Sequence, residues 1–101
     1  VVFYDRSYGS PDLFDVTLAT GLPGAFTLKR ITTSSSHLDK NLWIPARIPR
    51  CQRCVTFIGD YIGLAYGSDG VANIVWTDVR NKVNVPHSGS GYNENEYFAR
   101  A

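Results

Sequence analysis

The sequence lacks most of the features that commit a chain to a particular task. Its 101 residues carry ten Lys and Arg against nine Asp and Glu. That balance excludes the basic excess that a nucleic acid or an anionic membrane surface requires. No apolar run approaches the length of a membrane-crossing helix, so no transmembrane segment is expected. Long tracts of Ala, Leu, Glu and Lys are missing, and with them the material for long helices. The opening Val1-Val2-Phe3-Tyr4-Asp5-Arg6 has neither the basic start nor the long apolar stretch of a signal peptide. It reads as the inside of an apolar strand, which leads us to expect a piece of something longer.

What is present points to strands. Val, Ile, Thr, Tyr and Phe recur in short clusters bounded by Gly, Pro, Asn, Asp and Ser, the composition of an all-β chain. Six strands are predicted: Val1–Asp5, Leu13–Thr20, Phe26–Ile31, Thr56–Ala65, Val71–Thr77 and Glu94–Ala101. Gly67-Ser68-Asp69-Gly70 is a hairpin turn, because Asp-Gly readily adopts positive φ. Asp69 alone in so tight a turn falls short of a calcium cage. Thr32–Cys54 has no clear period, holds Pro45, Pro49 and a Ser triplet, and reads as a long loop. Within it Arg47, Arg50 and Arg53 are taken as a solvated edge. Tyr92–Glu96 is expected to be an exposed loop.

The strands also repeat. "VVFYDRS" and "IVWTDVRN" align Phe3 with Trp76, Asp5 with Asp78 and, after a one-residue shift, Arg6 with Arg80. Repetition at long period marks stacked supersecondary units. Each unit would be a four-stranded antiparallel sheet, the first without its opening strand and the second without its closing one. Residues 1–32 then supply strands two to four of one unit, 33–55 the connecting loop with its C-x-x-C, and 56–101 strands one to three of the next.

The segments "FYDR…LFDVTLAT", "FIGDYIGLA…DG…VWTDVR" and "EYFARA" together resemble the last two blades of a sialidase-like β-propeller of the BNR-repeat, or Asp-box, superfamily. The resemblance covers nearly the whole chain outside Thr33–Cys54. It implies a β-propeller fragment of two partial blades, which cannot close a ring alone. The Asp-box of that superfamily would fall at Ala19–Phe26, where only Gly24 and Phe26 match and the defining Asp is absent. Gly59 and Gly63 are expected to allow close backbone approach near the propeller axis. Asp60 and Tyr61 would face the channel or the mouth where ligands bind, and Asp78 and Arg80 would pair with each other or tie neighbouring blades.

The family's chemistry uses a Tyr nucleophile, an arginine triad, a Glu and an acid/base Asp. Tyr61 in "GDYIGL" resembles that nucleophile; the plainer alternative is a structural aromatic with a hydrogen-bonded hydroxyl. No Arg sits in a matching motif. The binding candidates are accordingly Asp60, Tyr61 and Arg80.

Cys51-Gln52-Arg53-Cys54 is a lone C-x-x-C. Haem attachment would need His at position 55, which is Val55. Zinc would need two further ligands, with only His37 and His87 available as imidazoles. We read Cys51 and Cys54 as a local disulfide in an oxidising compartment, worth about 2 kcal/mol for so short a loop.

No metal or other cofactor is assigned. The expected function is a structural, glycan-binding or protein-binding role in an extracellular or periplasmic propeller, without catalysis by this chain alone. The partners would be the remaining blades or a partner chain, with glycan as the candidate ligand. Two alternatives stay open: the C-terminal part of an exo-sialidase-type glycoside hydrolase, and an accessory subunit of a larger extracellular or membrane-associated assembly.

Overall fold

A computed structural model describes residues 1–37, 61–85 and 89–101. The described residues form an all-β chain without helix: β1 (Val2–Asp5), β2 (Leu13–Leu22), β3 (Ala25–Arg30), β4 (Ser36–His37), β5 (Ile62–Tyr66), β6 (Ala72–Val85) and β7 (Gly89–Arg100). No helix among them is long and apolar enough to cross a membrane, which leaves crossing by strands untouched. Every pairing is antiparallel. One sheet runs β1-β2-β3, with β4 also paired to β2; the other runs β5-β6-β7.

The turns follow from their residues. The β2–β3 hairpin places Gly21 at φ 118° and Gly24 at φ 87°, in a region that side chains avoid. A Cβ on Gly21 would also lie 2.6 Å from the Ala25 carbonyl oxygen, so no other residue fits there. In the β5–β6 hairpin Gly70 takes φ 74°, and the Asp69 carboxylate accepts the Val71 N–H at 3.1 Å. Asp-Gly therefore turns this hairpin as its chemistry dictates. Gly63 behaves otherwise than expected. A methyl group there would meet Val75 at an ordinary 3.8 Å, on an exposed face, so among the described residues no close backbone approach occurs at this position.

The sheets pack face to face. Val16 and Leu18 meet Ala72, Ile74 and Trp76 in the core, flanked by Val2, Tyr4, Ile31, Ile62, Leu64 and Tyr97. Alternation explains the choice, since successive side chains of a strand point to opposite faces. Tyr4 meets Phe14 edge-to-face with ring centroids 5.3 Å apart. Its hydroxyl is buried without a hydrogen-bond partner, and burial pushes the phenol pKa up although Thr77 close by opposes the rise.

The sequence repeat persists in the strand registers. In the first sheet Val2, Phe3, Tyr4 and Asp5 stand opposite Leu18, Thr17, Val16 and Asp15. In the second, Val75, Trp76, Thr77 and Asp78 stand opposite Phe98, Tyr97, Glu96 and Asn95. The two ladders superpose pair for pair under the alignment that sets Phe3 on Trp76 and Asp5 on Asp78.

Three expectations need correction. Strand β6 runs eight residues beyond Thr77, to Val85. Tyr92–Glu96 is part of β7 rather than a loop. Ladder hydrogen bonds between β6 and β7 override the low strand preference of their Asn, Lys and Glu residues. Finally, the loop after Ile31 contains β4, which pairs Ser36 with Phe14 and His37 with Leu13. Of the predicted strand Thr56–Ala65, Ile62–Ala65 lie in β5, while residues 56–60 fall outside the described residues.

Candidate functional site

Two buried carboxylates dominate the polar chemistry, and each sits where a strand ladder is interrupted. Strands β3 and β4 lie along the same side of β2, but the chain between them swings away from the ladder opposite Asp15. Side chains fill the gap. The Asp15 carboxylate accepts from Thr32 Oγ1 at 2.5 Å, from Ser35 Oγ at 2.8 Å, and from Arg30 Nε and Nη2 at 3.1 and 2.8 Å. The Thr32 hydroxyl in turn accepts the Val16 N–H at 3.4 Å. Burial pushes the Asp15 carboxyl up, but these hydrogen bonds and the charge of Arg30 outweigh it and hold the group below the usual carboxylate range.

The second interruption is a β-bulge. Asp78 pairs with Asn95 and Asn81 with Asn93, so Val79 and Arg80 together oppose the single residue Glu94. A bulge leaves backbone donors without ladder partners, and both find side-chain acceptors here. The Val79 N–H donates to Ser36 Oγ at 3.0 Å, and the Arg80 N–H to Asp78 Oδ1 at 3.0 Å. The bulge also lets Arg80 fold back on Asp78, with Nε 2.7 Å from Oδ1 and Nη2 2.5 Å from Oδ2. Trp76 Nε1 adds a fourth hydrogen bond at 3.0 Å. These bonds raise the Arg80 guanidinium above its ordinary pKa against the opposing effect of burial.

The segment Thr32–Ser36 joins the two interruptions. Thr32 and Ser35 serve Asp15, Thr33 Oγ1 accepts from Arg80 Nη1 at 3.0 Å, and Ser36 serves the bulge. Each arginine also covers a tyrosine: Arg30 lies 5.1 Å from the Tyr8 ring centroid and Arg80 4.6 Å from that of Tyr97. The His37 ring lies 4.1 Å from that of Tyr92, a further tie between β4 and β7. On the outer side of the first sheet, Thr17 donates to Asp5 at 2.9 Å and lies 3.2 Å from the Tyr8 hydroxyl. Asp5 also accepts the Ser7 N–H, and its hydrogen bonds with Ser7 hold its carboxyl below the usual range.

Asp78 accepts two hydrogen bonds on each oxygen, and Asp15 accepts three on Oδ1 and one on Oδ2, so both buried carboxylates are committed to neighbours within the fold. Asp15 and Asp78 therefore brace the fold. Among the described residues no group of three or more His, Cys, Asp or Glu is arranged to hold a metal ion.

The residues singled out from the sequence separate. Arg80 joins the bracing network with Asp78, as the sequence suggested. Tyr61 stands just before β5, 85% exposed and without a hydrogen-bond or ring partner among the described residues. Asp60, Cys51 and Cys54 lie outside the described residues. Sequence reasoning missed Asp15, Arg30 and the role of the Ser/Thr run. The signal was an acid inside the apolar run "LFDVTLA", which only a compensating partner makes tolerable. Comparison with protein-family models, curated proteins and solved structures finds no match to this chain.

Proposed function

We propose that this chain is a structural and binding segment of a sialidase-like β-propeller acting outside the cytoplasm, with no glycoside hydrolysis of its own. The observation that supports it best is the disposition of the acids. Asp15 and Asp78, 1% and 0% exposed, each accept four hydrogen bonds from neighbouring strands and loops, an arrangement suited to fixing two sheets. Glycoside hydrolysis needs an acid and a nucleophile held across one bond. Tyr61 is open to solvent and free to meet a glycan or protein surface, a role that aromatic side chains fill well.

Assay the chain with a fluorogenic sialoside beside its Tyr61→Phe variant. No turnover by either is the expected result. Turnover by the parent that disappears in the variant would establish the glycosidase alternative and make Tyr61 its nucleophile.

The same reading places Cys51 and Cys54 in an oxidising compartment and joins them to each other. Mass spectrometry of the unreduced chain should show a mass two hydrogens below that of the reduced chain. Two free thiols, or a bound zinc ion, would count against both the bond and the compartment.

A further inference from the structure

We infer that Thr32–Ser36 is an acid-released latch: with Asp15 ionised it holds the β6 bulge of the second sheet against the first sheet, and protonation of Asp15 lets the bulge go. The latch is a property of the fold itself and rests neither on glycan chemistry nor on the functional reading above.

The segment is fixed to the first sheet in two ways. Its ends are tied by backbone to β2: the Ile31 N–H donates to the Val16 carbonyl at 2.8 Å, and Ser36 and His37 pair with Phe14 and Leu13. Between those ties the ladder is open, and the Asp15 carboxylate takes its place by accepting from the Thr32 and Ser35 hydroxyls. On the other side the segment holds the second sheet. Thr33 accepts from the Arg80 guanidinium, and Ser36 accepts the Val79 N–H, each at 3.0 Å. Ser35 thus lies between the two residues that grip the bulge. Val79 is fully buried, so water cannot take over its N–H when Ser36 shifts.

Protonation acts on this segment because Asp15 is met by donors on both oxygens. A proton on Oδ2 would face the Ser35 hydroxyl hydrogen; one on Oδ1 would face the hydrogens of Thr32 and Arg30. The hydroxyl concerned must turn its hydrogen elsewhere, although Ser35 Oγ already accepts from Arg30 and Thr32 Oγ1 from the Val16 N–H. The centre of the latch loosens, and Thr33 and Ser36 lose their fixed positions with it. Arg80, whose charged form Asp15 also favours, loses that support in the same step. The other titratable groups around the latch are Asp5, opposite Asp15 across the β1–β2 ladder, Tyr8 under Arg30, His37 at the end of the segment, and Asp78 and Glu94 at the bulge. Arg30 and Arg80 stay charged throughout.

Amide hydrogen exchange of the full chain, followed by NMR between pH 7 and pH 3 and corrected for the intrinsic rate at each pH, tests the latch. Protection of the Val79 amide should fall by roughly tenfold or more relative to that of Ile74 in the core, the effect of one lost hydrogen bond. The fall should share its midpoint with the titration of the Asp15 side-chain carboxyl carbon. Asp15→Asn should show the low Val79 protection already at pH 7, with no further relative fall. Asp5→Asn and His37→Gln should keep the parent's response. Should Asp15→Asn not fold, the shared midpoint in the parent decides. Val79 keeping pace with Ile74 over the whole range overturns the inference, and so does a midpoint apart from that of Asp15. A relative fall that persists in Asp15→Asn also overturns it, because the trigger would then be Asp78 or Glu94.

Discussion

Replacing Asp78 by alanine should destabilise the chain by about 3–5 kcal/mol, the usual cost of breaking a buried ion pair from one side. The carboxylate is fully buried and the Arg80 side chain only 13% exposed, so the guanidinium left behind cannot recover its loss from water. The Trp76 indole N–H and the Arg80 backbone N–H lose their acceptor in the same step. A domain of this size is stable by about 5–15 kcal/mol, so the variant would sit close to unfolding at ambient temperature. Urea denaturation of parent and variant reads the difference as a midpoint shift at constant slope. Two comparisons separate the burial argument from a general sensitivity to charge removal. Arg100→Ala breaks the Asp69–Arg100 pair, whose partners are both about half exposed, and should cost less than about 1 kcal/mol. Adding Arg80→Met to Asp78→Ala should restore part of the loss, because the stranded charge goes while most of the side-chain volume stays. Equal losses in Asp78→Ala and Arg100→Ala would remove burial as the explanation.

Much of this architecture was legible in the sequence, and the limits have physical causes. Runs such as Leu13–Thr20 and Val71–Thr77 declared themselves because β-branched and aromatic residues cluster between turn formers, and local chemistry fixed the Asp69-Gly70 hairpin. The Asp78–Arg80 pair was visible because its members stand two residues apart. Asp15 and Arg30 are fifteen residues apart, and their meeting depends on the offset between β2 and β3 and on the swing of the chain after Ile31. Ser36 and Val79 are forty-three residues apart and meet only because a bulge leaves one N–H unpaired. Neither offset nor bulge leaves a mark in the composition. The extension of β6 and β7 was hidden for a related reason: Asn81–Val85 form strand because a partner strand lies alongside them, not because their own residues prefer it.

The Asp15 cluster should make the fold sensitive to acid, and Asp15→Asn should remove much of that sensitivity. Its carboxyl is held below the ordinary range in the folded chain, chiefly because hydrogen bonds from Thr32, Arg30 and Ser35 outweigh the burial that would raise it. The unfolded chain binds a proton at the ordinary value, near pH 4, while the folded chain resists protonation until lower pH. Stability from this group is therefore complete above about pH 4 and is lost as pH falls from there through the folded pKa. Asn at this position keeps an acceptor for Thr32 but loses the charge facing Arg30. At neutral pH the variant should be weaker by about 1.5–3 kcal/mol, the scale of hydrogen bonds to a charged group. The loss should fall short of that for Asp78→Ala, because Arg30 is 37% exposed and water can serve it. Asp5, also held low by its hydrogen bonds with Ser7, would keep a shallow acid dependence in the variant. Urea midpoints measured from pH 7 down to pH 2 decide the matter. The parent's curve should fall steeply below about pH 4 and approach the flatter curve of Asp15→Asn at the acid end. Parallel curves across the whole range would show that Asp15 is not the group whose protonation loosens the fold.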